Sequence, residues 1–488
     1  MADAPIPVWL DCDPGHDTCL VWTTGGPDHL PLFPLTAPGP IAQASLPPSV
    51  PSRPASLPAP SSPPCPIQSA PCTDAGQGRQ TSPGARVTPS RCRPRISTSD
   101  AFAILLAAYH PTIRFLGVST VFGNASLEKT TRNASSILTA IGKAREVPVF
   151  VGASHALARP PMHAPTDIHG ESGLDGTDLL PQPLVAPNRE VPAVDAAAAA
   201  LRAEAPGTAW VVATGSFTNV AALFMQHPDL VGHIKGLSLM GGALGGGFTP
   251  AVMGHVDGMP RIGNWTQFAE FNVLADPEAA AAIFNNKALA AKTTLVTLDL
   301  SHQVLTTREV RDLILYGPGH GPGHAHDGQP KTGPGKTTLR TMLVELLMFF
   351  AKTYSDVFGI TEGPPLHDPL AVAAILTEIG TDNNNKEDAI PFYDFDPLKT
   401  TASASSPPAE RFDVAVVTEG TYEDAHAGAR TGQITTTLLP PGAQGVRIPR
   451  GLDIPRFWKV LEECVSRADA ANAVAAAAAA AAVAAAGA

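Results

Sequence analysis

The fold is decided by the stretch Pro7-Val8-Trp9-Leu10-Asp11-Cys12-Asp13-Pro14-Gly15-His16-Asp17. Its first four residues form an apolar run typical of a short buried strand, and three aspartates follow where that strand ends. Pro14-Gly15 favours a tight turn, which lets carboxylates and backbone N–H groups converge on one cavity. In open α/β sheets, ligands bind at the carboxyl ends of the strands. The stretch therefore predicts an α/β protein with an acidic site at this edge of its sheet.

Strand-like and helix-like segments alternate along the rest of the chain. The predicted strands cover residues 113–121, 147–151, 209–213, 236–240 and 294–299, and the predicted helices cover residues 100–109, 126–141, 193–205, 219–226, 278–285 and 371–376. The strands are apolar nearly throughout, as in a parallel sheet that is covered on both faces. We therefore expect an α/β fold with a single open, mostly parallel sheet flanked by helices.

The composition divides the 488 residues unevenly. Residues 18–99 hold 18 of the 50 prolines and neither lysine nor glutamate, a composition that cannot bury an ordinary core. We expect this segment to be a Pro/Ser-rich disordered insertion or a translated intron. It interrupts one predicted domain, residues 6–17 plus 100–466. Further interruptions are a Gly/Pro/His loop at 317–336, a polar loop at 381–408 and an Ala-rich tail at 467–488, which we expect to be frayed helix or disorder.

The charge and the cysteines limit the partners and the compartment. The formal net charge is -11, and without the basic 18–99 segment the remainder carries about -15, which disfavours nucleic acid and anionic membranes as partners. Only Cys12 and Cys464 lie outside that segment, so there is no disulfide framework. The N-terminus lacks the apolar run of a signal peptide, and alanine is too weakly apolar for a convincing membrane span. We expect a cytoplasmic protein.

The aspartates at positions 11, 13 and 17 are the strongest chemical signal. Converging carboxylates repel one another unless a cation joins them, and oxygen ligands favour Ca²⁺ or Mg²⁺ over zinc. A solvated, helix-capping turn is the plainer interpretation. A third is a Mg²⁺-dependent aspartyl-phosphate phosphotransferase, although that chemistry needs a threonine soon after the second aspartate, and Pro14-Gly15 follows instead.

Two weaker motifs accompany the aspartates. The pair His367-Asp368 lies between prolines before an apolar helix, where it could supply an acid and a metal ligand or simply begin the helix. Glu270 and Asn272 share a face if their segment is extended, and such groups suit a polyhydroxylated ligand, though an ordinary polar loop is equally consistent.

Taken together, these motifs resemble one enzyme family. Asp11-Cys-Asp-Pro-Gly-His-Asp17, joined to Asp100-Ala-Phe-Ala-Ile104, is similar to the Asp-x-Asp-Pro-Gly-x-Asp-Asp-Ala signature of the inosine/uridine-preferring nucleoside hydrolases, split by the insertion. Further blocks resemble that family in the same order: Gly117–Asn124, His169–Gly173, Ala213–Asn219, Met240–Gly242, Glu270–Asn272 with Asp276–Glu278, and His367–Pro369.

The resemblance implies a ribonucleoside hydrolase of nucleoside salvage, which releases ribose and a free purine or pyrimidine base by means of a Ca²⁺-bound water and an aspartate general base. It implies Ca²⁺ ligands at Asp13, Asp100, Asp368 and the Thr214 carbonyl, with Asp13 as the base and His367 as the candidate acid. The implied substrate-binding residues are Asp17, Asn124, His169, Met240, Asn264, Glu270 and Asn272. A homodimer or homotetramer is implied as well. The alternative is a non-catalytic nucleoside- or ribose-binding relative, inactivated because the insertion separates Asp17 from Asp100.

Overall fold

A sheet of six parallel strands forms the centre of the molecule. The computed structural model describes residues 4–15, 99–160, 177–256, 258–319, 334–349, 351–378, 388–396 and 409–486. The sheet has the order β3-β2-β1-β4-β5-β8. Its strands are β1 (Ile6–Cys12), β2 (Ile113–Thr120), β3 (Val149–Val151), β4 (Trp210–Ala213), β5 (Gly236–Met240) and β8 (Thr293–Val296). The predicted α/β fold is confirmed.

Strand β1 lies in the middle of this sheet because its side chains are apolar on both faces. Val8, Leu10 and Cys12 belong to one hydrophobic core, and Trp9 belongs to the core on the opposite face. The Trp9 ring fits against β2 at Gly117, where a β-carbon would lie 2.8 Å from a ring carbon, and the register between the two strands shifts at this point. A glycine thus makes room for the largest side chain of β1.

Helices cover both faces. The first core is closed by α1 (Ser99–Tyr109) and by helices from later in the chain, whereas α3 (Ala193–Arg202) and α4 (Thr218–Gln226) pack on the second core. The remaining helices are α2 (Leu127–Ala140), α5 (Leu230–His233), α6 (Phe271–Ala275), α7 (Pro277–Asn285), α8 (Lys287–Ala290), α9 (Leu298–Ser301), α10 (Arg308–Tyr316), α11 (Thr338–Met348), α12 (Ala351–Phe358), α13 (Pro369–Ala374), α14 (Tyr422–His426) and α15 (Ile454–Ala486).

Among the described residues, three antiparallel strand pairs lie outside the main sheet. They are β6 (His255–Val256) with β7 (Met259–Pro260), β9 (Phe392–Tyr393) with β12 (Gly451–Leu452), and β10 (Phe412–Val416) with β11 (Ile434–Leu438). The described residues belong to one compact unit.

Two sequence predictions were wrong in detail. The strand predicted at 294–299 ends at Val296, because Thr297 begins a turn of helix and Leu298 donates its N–H to the Gly242 carbonyl. The apolar helix predicted at 371–376 begins earlier, at Pro369, and passes into a 3₁₀ turn at Ile375–Glu378.

The C-terminal helix α15 has two unlike halves. Its first half packs into the core through Phe457, Leu461 and Val465, and the fully buried Arg340 binds Glu462 and Asp469 on it. Its second half is alanine-rich, exposed, and helical as far as Ala486. By length and composition alone, Ile454–Ala485 could cross a membrane, and among the described residues it is the one helix that could.

Several predicted segments lie outside the described residues. These are residues 18–98, most of the Gly/Pro/His loop, and most of the polar loop at 381–408. The predicted domain boundaries therefore stay predictions.

Candidate active site

Asp13 is held rigidly where β1 ends. Its carboxylate accepts hydrogen bonds from the Asn124 backbone N–H (2.8 Å) and side-chain amide (3.3 Å). Two glycines allow the close approach of the neighbouring backbone, because a β-carbon on Gly123 would lie 2.0 Å from Asp13 Oδ2 and one on Gly215 would lie 2.8 Å from Oδ1. Asp13 is fully buried. The carboxylate is thus fixed by its surroundings, as a catalytic group or metal ligand needs to be.

Asp100 and Asp368 come to the same region from two different helices. Asp100, in the first turn of α1, accepts a hydrogen bond from the Thr214 hydroxyl at 2.8 Å, and Thr214 itself donates its backbone N–H to the Asp11 carbonyl at 2.9 Å. Asp368 precedes α13 and accepts a hydrogen bond from the Ser99 hydroxyl. Burial raises the pKa of the Cys12 thiol well above its ordinary value, and the charges of Asp100, Asp11, Asp13 and Asp368 raise it further.

These residues match a hard divalent cation in the chemistry of their donors. Asp13, Asp100 and Asp368 are all buried and supply carboxylate oxygens, and the Thr214 carbonyl is close by. Within the described ranges, however, no three His, Cys, Asp or Glu side chains lie close enough together to form a finished metal-binding cluster. The three carboxylates nevertheless offer the oxygen ligands that Ca²⁺ or Mg²⁺ prefers.

The predicted ribose-binding residues form one connected wall beside these carboxylates. The Asn272 amide donates to the Thr214 carbonyl at 2.9 Å and to the Met240 carbonyl at 3.0 Å. Glu270 is buried, and its carboxylate accepts the N–H groups of Asn272 and Gly242 at 2.9 and 2.7 Å. Asn264 accepts the Phe271 N–H at 2.9 Å. The wall therefore joins the loops after β4 and β5 to the start of α6.

Glu270 and Asn272 do not share the face of an extended segment. Glu270 is extended but caps α6, and Asn272 is already helical. The cap explains this difference, since the Glu270 carboxylate accepts the N–H groups that the first turn of a helix leaves unbonded.

His367 is buried between two hydroxyl groups. Its Nε2 lies 2.6 Å from the Tyr354 hydroxyl, and its Nδ1 lies 2.7 Å from the Ser301 hydroxyl. Burial lowers the pKa of His367 well below its ordinary value, and the neighbouring His302 lowers it further. Burial therefore favours the neutral imidazole, and each ring nitrogen contacts a hydroxyl oxygen.

Asp11 is buried next to the candidate site, where its carbonyl accepts the Thr214 N–H. Its carboxylate accepts hydrogen bonds from Ser119 Oγ at 2.5 Å and from Asn219 Nδ2 at 2.8 Å. Burial raises the pKa of Asp11 to about 7, while these two hydrogen bonds lower it in part. Asp11 therefore joins β1 to β2 and α4, which is a structural task; its partners do not point to a phosphotransferase nucleophile.

Some residues that contact the candidate site were not predicted from the sequence, and two predicted site residues lie outside the described ranges. Ser301 and Tyr354 contact His367, yet they lie in ordinary helical sequence with no motif around them; Ser99, which contacts Asp368, directly precedes the Asp100–Ile104 block but was not itself predicted. Asp17 and His169, predicted to bind substrate, lie outside the described residues.

Known proteins share both the sequence and the fold of this chain. Residues 96–459 match the family model of the inosine-uridine preferring nucleoside hydrolases. The uridine nucleosidase of Saccharomyces cerevisiae is 35% identical over 377 residues, which cover 77% of this chain and 95% of that protein. The pyrimidine-specific ribonucleoside hydrolase RihA of Citrobacter koseri is 36% identical over 278 residues, which cover 57% of this chain and 75% of that protein.

Solved structures agree with this assignment at the level of fold. A purine-preferring ribonucleoside hydrolase from Gardnerella vaginalis superposes with a TM-score of 0.54 at 23% identity, covering 76% of this chain and 96% of that one. A plant nucleoside hydrolase gives a TM-score of 0.53 at 22% identity, covering 75% of this chain and 95% of that one. The family match spans most of the chain, and the S. cerevisiae relative is matched over nearly its whole length. The chain therefore belongs to the inosine-uridine preferring nucleoside hydrolase family and is a hydrolase of nucleosides.

Proposed function

We propose that this enzyme cleaves the N-glycosidic bond of pyrimidine ribonucleosides, uridine above all, to give ribose and the free base. The observation that carries the proposal is the set of three buried carboxylates, Asp13, Asp100 and Asp368, beside a wall of amide and carboxylate groups. The preference for pyrimidines is supported by the names of the two sequence relatives, a uridine nucleosidase and a pyrimidine-specific hydrolase.

The negative charge of the site suits this reaction. Breaking a C–N glycosidic bond builds positive charge on the ribose ring, so surrounding carboxylates stabilise the transition state more than the neutral substrate. Asp13, Asp100, Asp368 and the Thr214 carbonyl would hold Ca²⁺. When bound, that ion supplies Lewis-acid chemistry, since it attracts the ribose hydroxyls and makes an attacking water more acidic.

Asp13 is the proposed general base. It accepts a proton from the attacking water, and its two contacts with Asn124 keep the carboxylate from turning away. Asp17, Asn124, His169, Met240, Asn264, Glu270 and Asn272 are the proposed substrate-binding residues.

His367 is the proposed acid for the leaving base. In the protonated form of His367, we infer that Nε2–H gives its proton to the Tyr354 hydroxyl, 2.6 Å away, while that hydroxyl gives its own proton to the leaving base, so that the imidazole ends neutral. Burial, which lowers the pKa of His367, makes this imidazolium a stronger acid. In that arrangement Ser301 orients the ring from the Nδ1 side.

The cellular compartment and the oligomeric state are also proposals. In the described part of the chain Cys12 and Cys464 are free and buried, which supports a reducing, cytoplasmic compartment. We propose a homodimer or homotetramer that has no nucleic-acid or membrane partner.

The test is release of free base by the full-length chain from uridine, cytidine, inosine and adenosine, with Ca²⁺ or with a chelator. We expect uridine and cytidine to be cleaved fastest and the chelator to abolish the reaction. Asp13→Asn should lose at least about 10²-fold in kcat, since it keeps the shape of the side chain but cannot accept the proton. Asp453→Asn, at the start of α15, is the matched control and should keep full activity.

A second protein tests the alternative of a binding-only relative. In it, Asp17 is joined directly to Asp100, so that residues 18–99 are removed. Activity in this protein but not in the full-length chain means that the fold is a hydrolase and that the inserted segment inhibits it. Ribose binding without base release in both proteins would overturn the catalytic proposal.

A further inference from the structure

A glycine-rich loop after β5 is held at both ends by buried carboxylates. The loop runs Gly241-Gly-Ala-Leu-Gly-Gly-Gly-Phe-Thr249, directly after Met240. Gly245, Gly246 and Gly247 have φ values of +61°, +61° and +78°, which L side chains adopt only with strain. Such a loop has little conformational preference of its own, so its shape depends on what binds its N–H groups.

The first carboxylate is Glu270, in the ribose wall. It accepts the Gly242 N–H at 2.7 Å, as well as the N–H groups of Asn272 and Val273 at the start of α6. One side chain thus connects the loop to the helix that carries Asn272. A shift of Gly242 would therefore move or loosen the Glu270 carboxylate.

The second carboxylate is Asp299, in α9, a residue with no role in the proposed reaction. Its two oxygens accept the N–H groups of Leu244 and Gly245, both at 2.8 Å, and its own carbonyl accepts the Thr249 hydroxyl at 2.6 Å. Asp299 is 2% exposed. A carboxylate that receives one N–H on each oxygen fixes both the position and the tilt of the loop.

The loop also touches the segment before Asn264. A β-carbon on Gly245 would lie 3.1 Å from the Ile262 side chain, so the part of the loop that Asp299 holds packs on Ile262, two residues before Asn264 of the ribose wall. Asp299 is therefore linked to the ribose wall in two ways. The loop that it holds also binds Glu270 through Gly242, and Gly245 of that loop packs on Ile262, close to Asn264 in the sequence.

We propose that Asp299 is a positioning residue for ribose recognition, acting through the 241–249 loop on Glu270. This inference rests on the proposed function, since Glu270 is taken to face the ribose. Within the described residues, the hydrogen bonds of Asp299 go to the 241–249 loop and to Gln303, and none joins it to a predicted substrate-binding side chain. Its effect should therefore appear in the binding of the sugar and not in that of the base.

Asp299→Asn is the sharpest perturbation. The amide keeps the size of the carboxylate, but one of its ends carries N–H groups, which then face the N–H of Leu244 or Gly245. One of the two loop contacts is lost and replaced by a repulsion between donors. We expect the KM for uridine and the inhibition constant for ribose to rise about tenfold, with the inhibition constant for uracil unchanged.

Hydrogen exchange of the full-length protein gives a readout that does not need activity. In Asp299→Asn, amide exchange should speed up in residues 241–249 and also in residues 270–275, whose first N–H groups bind Glu270. Gly245→Ala is a second variant, which strains the same loop from the backbone side and should give the same pattern. Asp453→Asn is the control and should change neither region.

Exchange that rises in 241–249 alone would overturn the inference, and so would equal changes in the ribose and uracil constants. If the wild-type chain releases no base, the proposed function fails, and the exchange pattern still decides whether Asp299 acts on Glu270. Faster exchange in both regions supports the inference in that case too.

Discussion

Replacing Gly215 by alanine should displace Asp13. A β-carbon at Gly215 would lie 2.8 Å from Asp13 Cγ and Oδ1 and 2.9 Å from a Val121 methyl, whereas comfortable contacts between carbon atoms are about 3.5–4.0 Å. Something must move by about 0.7–1 Å, and Asp13 is the group pushed most directly. Overpacking of this size costs about 1–3 kcal/mol of folding free energy. A misplacement of about 1 Å in a reacting group costs about 10²-fold in rate.

The assay is base release from uridine together with urea denaturation of both proteins. Gly232→Ala is the matched control, because no atom lies within 4 Å of its added β-carbon and it sits in the short helix α5. That variant should keep full activity and gain stability by about 0.5–1 kcal/mol. If Gly215→Ala folds with wild-type kcat/KM, then Asp13 is not held where the reaction needs it, and its role as base is refuted.

Other consequences can be measured on the same protein. Arg340→Met should lower the free energy of unfolding by about 3–5 kcal/mol, because it leaves Glu462 and Asp469 without their buried partner; a loss under about 1 kcal/mol in urea denaturation would contradict this. The contribution of His302 to stability should fall as pH drops from 7 to 5, because burial lowers its pKa to about 4 while the unfolded chain takes up a proton near pH 6.5. The difference in stability between the wild type and His302→Asn should therefore change by about 1–2 kcal/mol over this range, and parallel pH profiles would argue against it. Adding Ca²⁺ to chelator-treated protein at about 100 times its Kd should stabilise it by about 2.7 kcal/mol, seen as a higher Tm, and an unchanged Tm would speak against the metal site.

The sequence predicted the parts of this protein that depend on local pattern. The run from Pro7 to Leu10 is apolar on both faces, so a central strand followed by acidic residues could be foreseen. The end of β8 could not, since the β-prone residues continue past Val296 and only the contact of Leu298 with Gly242 marks the change to helix. Local pattern says nothing about a partner that lies far away in the chain.

The contacts of each candidate site residue could not be predicted from the sequence, because its partners lie far away in the chain. The pKa of His367 is lowered by burial and by His302, and its ring is held by Tyr354 and Ser301; none of these three residues is adjacent to His367 in the sequence. Asp299 looked like the last residue of a strand, and its role depends on backbone N–H groups 54 and 55 residues earlier. Motifs predicted the residues that we propose for the chemistry, whereas tertiary contacts decide their protonation and orientation.

The central position of β1 also affects how the protein is made. This strand is synthesised first, yet Ile6 pairs with Ile113 and Val8 pairs with Trp210, so its second neighbour is about 200 residues away. At about 5–20 residues per second, the ribosome needs about 10–40 s to produce that partner. Both edges of this apolar strand are open until β2 is made, and one edge stays open until β4 is made, which invites pairing with other nascent chains. High contact order of this kind slows folding. The strand that leads to Asp13, the proposed general base, is thus especially dependent on protection during translation.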